Sequence, residues 1–137
     1  MTGAGGHAAR AQAAPLGPHA ATCAANGSAV LVHVEGFRER TGNLRVQLYA
    51  SEPSTFLEKG KYLARVDVPV TRSGPMEVCV PVAKPGNYAV SVRHDANGNG
   101  KSDRSDGGGF SGNPKVGLTD LAFKRKPSLA KVSFSVS

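Results

Sequence analysis

The chain has no tryptophan, and only 6% of its residues are aromatic. Single-stranded nucleic acid is gripped by stacking bases on aromatic rings, so that class of partner has little here to hold it. No apolar run approaches the roughly eighteen residues that a membrane-spanning helix needs. G-x-S-x-G, H-E-x-x-H and C-x-x-C are all missing, which leaves the usual nucleophilic and zinc chemistries without a motif. A 3.6-residue apolar period is missing as well. Acidic residues are few: ten Asp and Glu stand against seventeen Lys and Arg, a net charge of +7.

What is present is alternation. Val30, Val32 and Val34 make a first strand, and Leu44, Val46 and Leu48 a second. Val66, Val68 and Val70 follow, then Met76, Val78, Val80 and Val82, then Tyr88, Val90, Val92 and His94. Leu121 to Phe123 can pair briefly, and Leu129 to Val136 reads as the closing strand. Phe56 and Leu57 read as core anchors within a polar loop from Ser51 to Lys61. Short alternating strands separated by Gly/Pro turns predict an all-β fold, a two-sheet antiparallel sandwich of about seven strands, immunoglobulin- or transthyretin-like. At 137 residues it is a single domain, large enough to bury a core. Residues 1–27, rich in Ala, Gly and Pro, read as a flexible tail before a domain at 28–137. Ala11-Gln12-Ala13 is similar to the end of a secretory signal, but no complete targeting signal is visible.

Three of the ten acidic residues fall within residues 95–106. Asp95, Asn97, Asn99, Asp103 and Asp106 occupy positions one, three, five, nine and twelve of a calcium-loop spacing. Gly100 stands at six, where the chain must bend, and Lys101 at seven, where only a carbonyl is required. A hard cation takes six to eight oxygens, and alternate residues of a curled loop can supply them. The spacing therefore predicts a weak calcium site on a β scaffold, since a strand precedes the loop and Gly107-Gly108-Gly109 follows it. The alternative is a metal-free polar turn, with Asn-Gly pairs supplying positive φ. Gly100-Lys101-Ser102 is not a phosphate loop, because its first glycine would fall at Asp95. Loops as long as 95–120 usually carry function.

Cys79 alternates out of phase with its strand's apolar side, and Cys23 precedes the first strand. A disulfide between them would staple the tail to the sheet and imply export; two free thiols are the alternative. His94, on the core-facing parity, is expected to pack under the loop and donate to a loop carbonyl. Its competing role is catalytic, with Asp95 or Asp103, in a small hydrolase or isomerase. Lys124-Arg125-Lys126 is the only dense basic cluster and the candidate polyanion contact.

The run Tyr88-Ala89-Val90-Ser91-Val92-Arg93-His94-Asp95-Ala96-Asn97-Gly98-Asn99-Gly100-Lys101-Ser102-Asp103 resembles the signature of the domain of unknown function 2141 family, small exported bacterial proteins. Pro85-Gly86-Asn87, Ser105-Asp106-Gly107-Gly108-Gly109-Phe110 and Arg45-Val46-Gln47-Leu48-Tyr49 share the resemblance, which covers residues 23 to 137. It implies a periplasmic or secreted β-sandwich, and paired cysteines suit one of the family's subgroups. It implies no activity. The expectation is a non-enzymatic cell-envelope module with a calcium loop, meeting an acidic envelope polymer or another envelope protein.

Overall fold

The alternating valines form strands whose inward residues build one interior. In the computed structural model, which describes residues 15–25, 27–96, 98, 107–110, 115–117, 119–120 and 128–137, they are β1 (Ala29–Glu35), β2 (Asn43–Ala50), β3 (Ala64–Pro69), β4 (Met76–Pro81) and β5 (Gly86–Asp95). Four short strands follow: β6 (Gly107–Phe110), β7 (Lys115–Gly117), β8 (Thr119–Asp120) and β9 (Phe134–Val136). Among the described residues the helices are α1 (Ala20–Ala24) and α2 (Leu129–Val132).

Two sheets face each other. The smaller runs β4-β1-β7 and the larger β3-β2-β5-β6-β8. Beyond β5, β9 pairs with Gly86–Tyr88 and β6 with Ser91–His94, so the two share one side of a long strand. The sandwich is antiparallel as expected, with one exception: β7 lies parallel to β1. The segment read as one long loop therefore carries three short strands, one of which crosses to the smaller sheet.

Val30, Val32, Val34, Met76, Val78 and Val80 from the smaller sheet meet Leu44, Val46, Leu48, Val66, Val90 and Val92 from the larger. Each fully buried aliphatic side chain contributes roughly 1.5–3 kcal/mol, and this layer is the main source of stability. Phe56 belongs elsewhere. With Tyr49, Ala89 and Val132 it forms a second cluster on the outer face of the larger sheet. The Tyr49 and Phe56 rings meet edge to face at 5.7 Å. Leu129 and Val132, three residues apart, reach that cluster from α2. The expected closing strand over 129–136 is accordingly a helical turn followed by β9, because spacing of three suits a helix and not a strand.

Residues 15–25, assigned by composition to the tail, are packed against the sandwich. Leu16 donates to the Glu77 carbonyl at 2.8 Å and accepts from the Cys79 N–H at 3.2 Å, covering the open edge of β4. Cys23 and Cys79 form a disulfide with Cα atoms 5.9 Å apart. Cys79 points to the outer side of the smaller sheet, as its parity predicts, and is fully buried there. No helix among the described residues is long and apolar enough to cross a membrane.

Candidate functional site: the root of the 95–106 loop

β5 is the longest strand, and its last residues carry the site. His94 pairs in register with Gly107 of β6, so residues 95–106 are the connection of a hairpin. The twelve positions with calcium-loop spacing thus begin and end beside one backbone pair. Of the predicted ligands, Asp95 is described; Asn97, Asn99, Lys101, Asp103 and Asp106 lie outside the described residues. Lys124, Arg125 and Lys126 also lie outside them.

Three consecutive residues, the last two of the β1–β2 connection and the first of β2, fasten the root. Gly42 has φ +75°, and a Cβ there would lie 2.0 Å from the Asp95 carbonyl oxygen and 2.6 Å from that of Ala96. No side chain fits, so backbone runs directly against backbone. Thr41 donates its hydroxyl to the Ala96 carbonyl at 2.9 Å. Asn43 stands opposite Asp95 in the β2–β5 register. Within the loop, the Gly98 N–H donates to the Asp95 carbonyl at 3.1 Å, with Gly98 at φ +69°. The turn therefore starts immediately at the strand end.

His94 supports this root from the core side and is only 4% exposed. Its Nε2 lies 2.8 Å from the Thr41 carbonyl. A carbonyl can only accept, so that partner assigns the hydrogen to Nε2. The expected donation was to a carbonyl of the 95–106 loop; the bond runs instead to the β1–β2 connection, at Thr41. Phe37 packs edge-on against the imidazole at 5.5 Å. Arg40 lies over the Phe37 ring at 4.5 Å and donates to the Thr71 and Gly74 carbonyls. An arginine, a phenyl ring and an imidazole thus form one stack from solvent to core.

On the outer face, Asp95 is 5% exposed and lines a cleft of about 120 Å³ with Asn43, Arg45, Asp67, Arg93 and Gly98. Arg45 donates from Nε to Asp67 at 2.9 Å, and Arg65 does so from the other side at 3.0 Å. Partial burial pushes the Asp67 carboxyl upward, but the two hydrogen bonds and charges outweigh it and hold the group below its ordinary value.

The family model described as an uncharacterized protein conserved in bacteria (DUF2141) matches residues 32–137. The chain belongs to this family. No curated protein and no solved structure matches the chain. The DUF2141 match takes in the nine strands of the described residues but for β1's first three residues, and it begins beyond Cys23. Neither Thr41-Gly42 nor the facing arginines stand out in the sequence. A glycine between Thr and Asn before a strand signals a turn, but its contact with Asp95 depends on β2 pairing with β5.

Proposed function

We propose that this DUF2141 protein is a non-enzymatic, exported cell-envelope module whose 95–106 loop takes up calcium. The observation that carries the reading is the hairpin closure. A segment with oxygen-bearing side chains at loop positions one, three, five, nine and twelve starts at a buried carboxylate and is bracketed by the His94–Gly107 pair. Asp95 would supply the first oxygen. Asn97, Asn99, Asp103 and Asp106 would add side-chain oxygens, and Lys101 its carbonyl. These are the neutral and anionic oxygens a hard cation takes. Bound there, the ion would supply charge neutralisation and order to the loop. Two amide ligands, and the cationic Arg45 and Arg93 beside Asp95, favour affinity on the order of 10⁻⁴–10⁻³ M, typical of extracellular modules.

Export is supported by the Cys23–Cys79 bond, since such cross-links persist in oxidising compartments. The non-enzymatic reading is supported by His94, which is buried and has Nε2 committed to a backbone carbonyl. A general base needs a nitrogen lone pair facing substrate.

Melting curves in chelator and in calcium test the reading. With about 1 mM calcium and a dissociation constant near 0.1 mM, linkage gives roughly 1.4 kcal/mol, a rise of several degrees for a domain of this size. Magnesium gives less, because it requires tighter octahedral geometry. Asp95→Ala loses the response and Ser102→Ala keeps it. Superimposable curves in chelator and calcium rule out the metal site.

A further inference from the structure

We propose that β3 is an edge for self-association, at which two copies of the chain pair antiparallel about Val66 and set each Arg65 opposite the second copy's Asp67. This goes beyond the calcium reading and does not depend on it.

Strand phase fixes what the edge offers. β3 ends the larger sheet, and among the described residues no strand pairs with its other side. Along an antiparallel pair, successive residues turn their N–H and C=O groups to opposite sides. The Val70 N–H donates to the Gly42 carbonyl at 3.0 Å, and the Ser51 N–H to the Asn87 carbonyl of β5 at 3.1 Å. Even-numbered residues along β2 therefore face β3, and odd-numbered ones face β5. Leu44, Val46 and Leu48 meet Val68, Val66 and Ala64 in register, so Arg65, Asp67 and Pro69 turn their backbone outward. Pro69 has no N–H, and the Leu63 N–H is bonded to the Leu48 carbonyl at 2.7 Å. The open ladder is thus Arg65 and Asp67, bounded at both ends.

The charge pattern names the occupant. Charged residues and proline on an edge usually deter a foreign strand. Here the signs alternate, so a second β3 laid antiparallel about Val66 brings opposite charges face to face twice, a favourable cross-strand pairing. Arg65 meets Asp67 and Asp67 meets Arg65, and each pair can exchange two N–H···O bonds because both residues face outward. The contact is closed and two-fold, with the same patch on both copies. Its register also brings Leu63 beside Pro69. Leu63 is 58% exposed, and it and Tyr62 are two of the three large hydrophobic side chains exposed among the described residues. Asp67 gives one oxygen to Arg45 and the other to Arg65. A carboxylate accepts about four hydrogen bonds, so the second copy's Arg65 adds to this network without displacing a partner.

The test is sedimentation velocity on the full-length protein at up to about 1 mM, in chelator, so that failure of the calcium site leaves it unaffected. The protein should pass from monomer to dimer as its concentration rises. Arg65→Asp and Asp67→Arg each turn both cross-strand pairs into like charges, and each should weaken the dimer about tenfold or more. Mixing the two variants restores opposite charges at both pairs, and the mixture should dimerise where neither does alone. Arg65→Asp serves by itself if Asp67→Arg fails to fold. Lys84→Asp, the same charge change at an exposed turn, should alter nothing. Hydrogen exchange at the Arg65 and Asp67 amides should slow with concentration, while the Val66 and Val68 amides, bonded to β2, stay constant. A monomer throughout would overturn the proposal, as would a dimer indifferent to Arg65→Asp. Protection of the Arg65 and Asp67 amides at every concentration would also overturn it, because the chain itself would then cover the edge.

Discussion

The N-terminal segment and the root of the 95–106 loop are both fastened to the sandwich, by different means. The first is held by a covalent bond from Cys23 to Cys79, on the outer face of the smaller sheet. The second is held by backbone contact, where Gly42 lies against the Asp95 and Ala96 carbonyls. The covalent pin acts largely through the unfolded chain, which it prevents from opening fully. The backbone pin acts only in the folded state, through the absence of one methyl group. A cross-link therefore tolerates changes around it, whereas the loop root cannot accept one added carbon. The first suits a permanent strap. The second sets a loop at a defined starting angle.

Removing the cross-link should have the largest effect. With the cysteines 56 positions apart in sequence, Cys23→Ser with Cys79→Ser should cost about 4 kcal/mol in the chain-entropy model, seen as a lower urea midpoint. A loss below about 1 kcal/mol would mean that the Leu16 backbone bonds hold the segment unaided. Gly42→Ala comes next, at roughly 2–4 kcal/mol, because it combines positive φ with a backbone clash. Gly74 is the matched control, with φ +77° and nothing within 4 Å of an added Cβ. Gly74→Ala should cost only about 1 kcal/mol, the left-handed penalty alone. Equal losses at the two glycines would remove the backbone pin from the account.

His94→Phe keeps a ring against Phe37 but removes the donor to the Thr41 carbonyl. It should cost about 1–3 kcal/mol by thermal denaturation, and loss of protection should begin at the Gly98 amide. The smallest effect is acid titration of Asp67. Its folded value is depressed, so its contribution is present above the ordinary carboxylate value of 3.8 and is lost as pH falls through the lower folded value. Its side chain is 41% exposed, so screening keeps the contribution below about 1 kcal/mol. Asp67→Asn should flatten that part of the stability curve, and an unchanged acid limb would show that other carboxylates set it.

The readable part of the chain was its periodicity. Aliphatic alternation in β1, β2 and β3 marked the inner faces, and the parity of Cys79 marked it as outward. Both follow from the two-residue repeat of a strand, which is local. Phe56 was read as a core anchor and is buried, but the layer it joins was not legible, because the outer cluster exists only once α2 folds back over Tyr49. Leu129 and Val132 carried a helical spacing too short to stand out beside Phe134 and Val136. Neither the Arg45–Arg93 register nor the Gly42–Asp95 approach could be read, because both depend on β2 pairing with β5 across more than forty residues of sequence. Asp95 was legible as a ligand type, and its burial at the strand end was not.

The most direct measurement is residue-resolved hydrogen exchange with calcium and with chelator. The Gly98 amide, bonded to the Asp95 carbonyl, reports on the loop root, and the β1–β4 amides report on the disulfide-bearing sheet. Calcium is predicted to slow exchange at Gly98 well beyond any change in β1 and β4. No change at Gly98, or an equal change in both regions, would contradict a cation site at this loop.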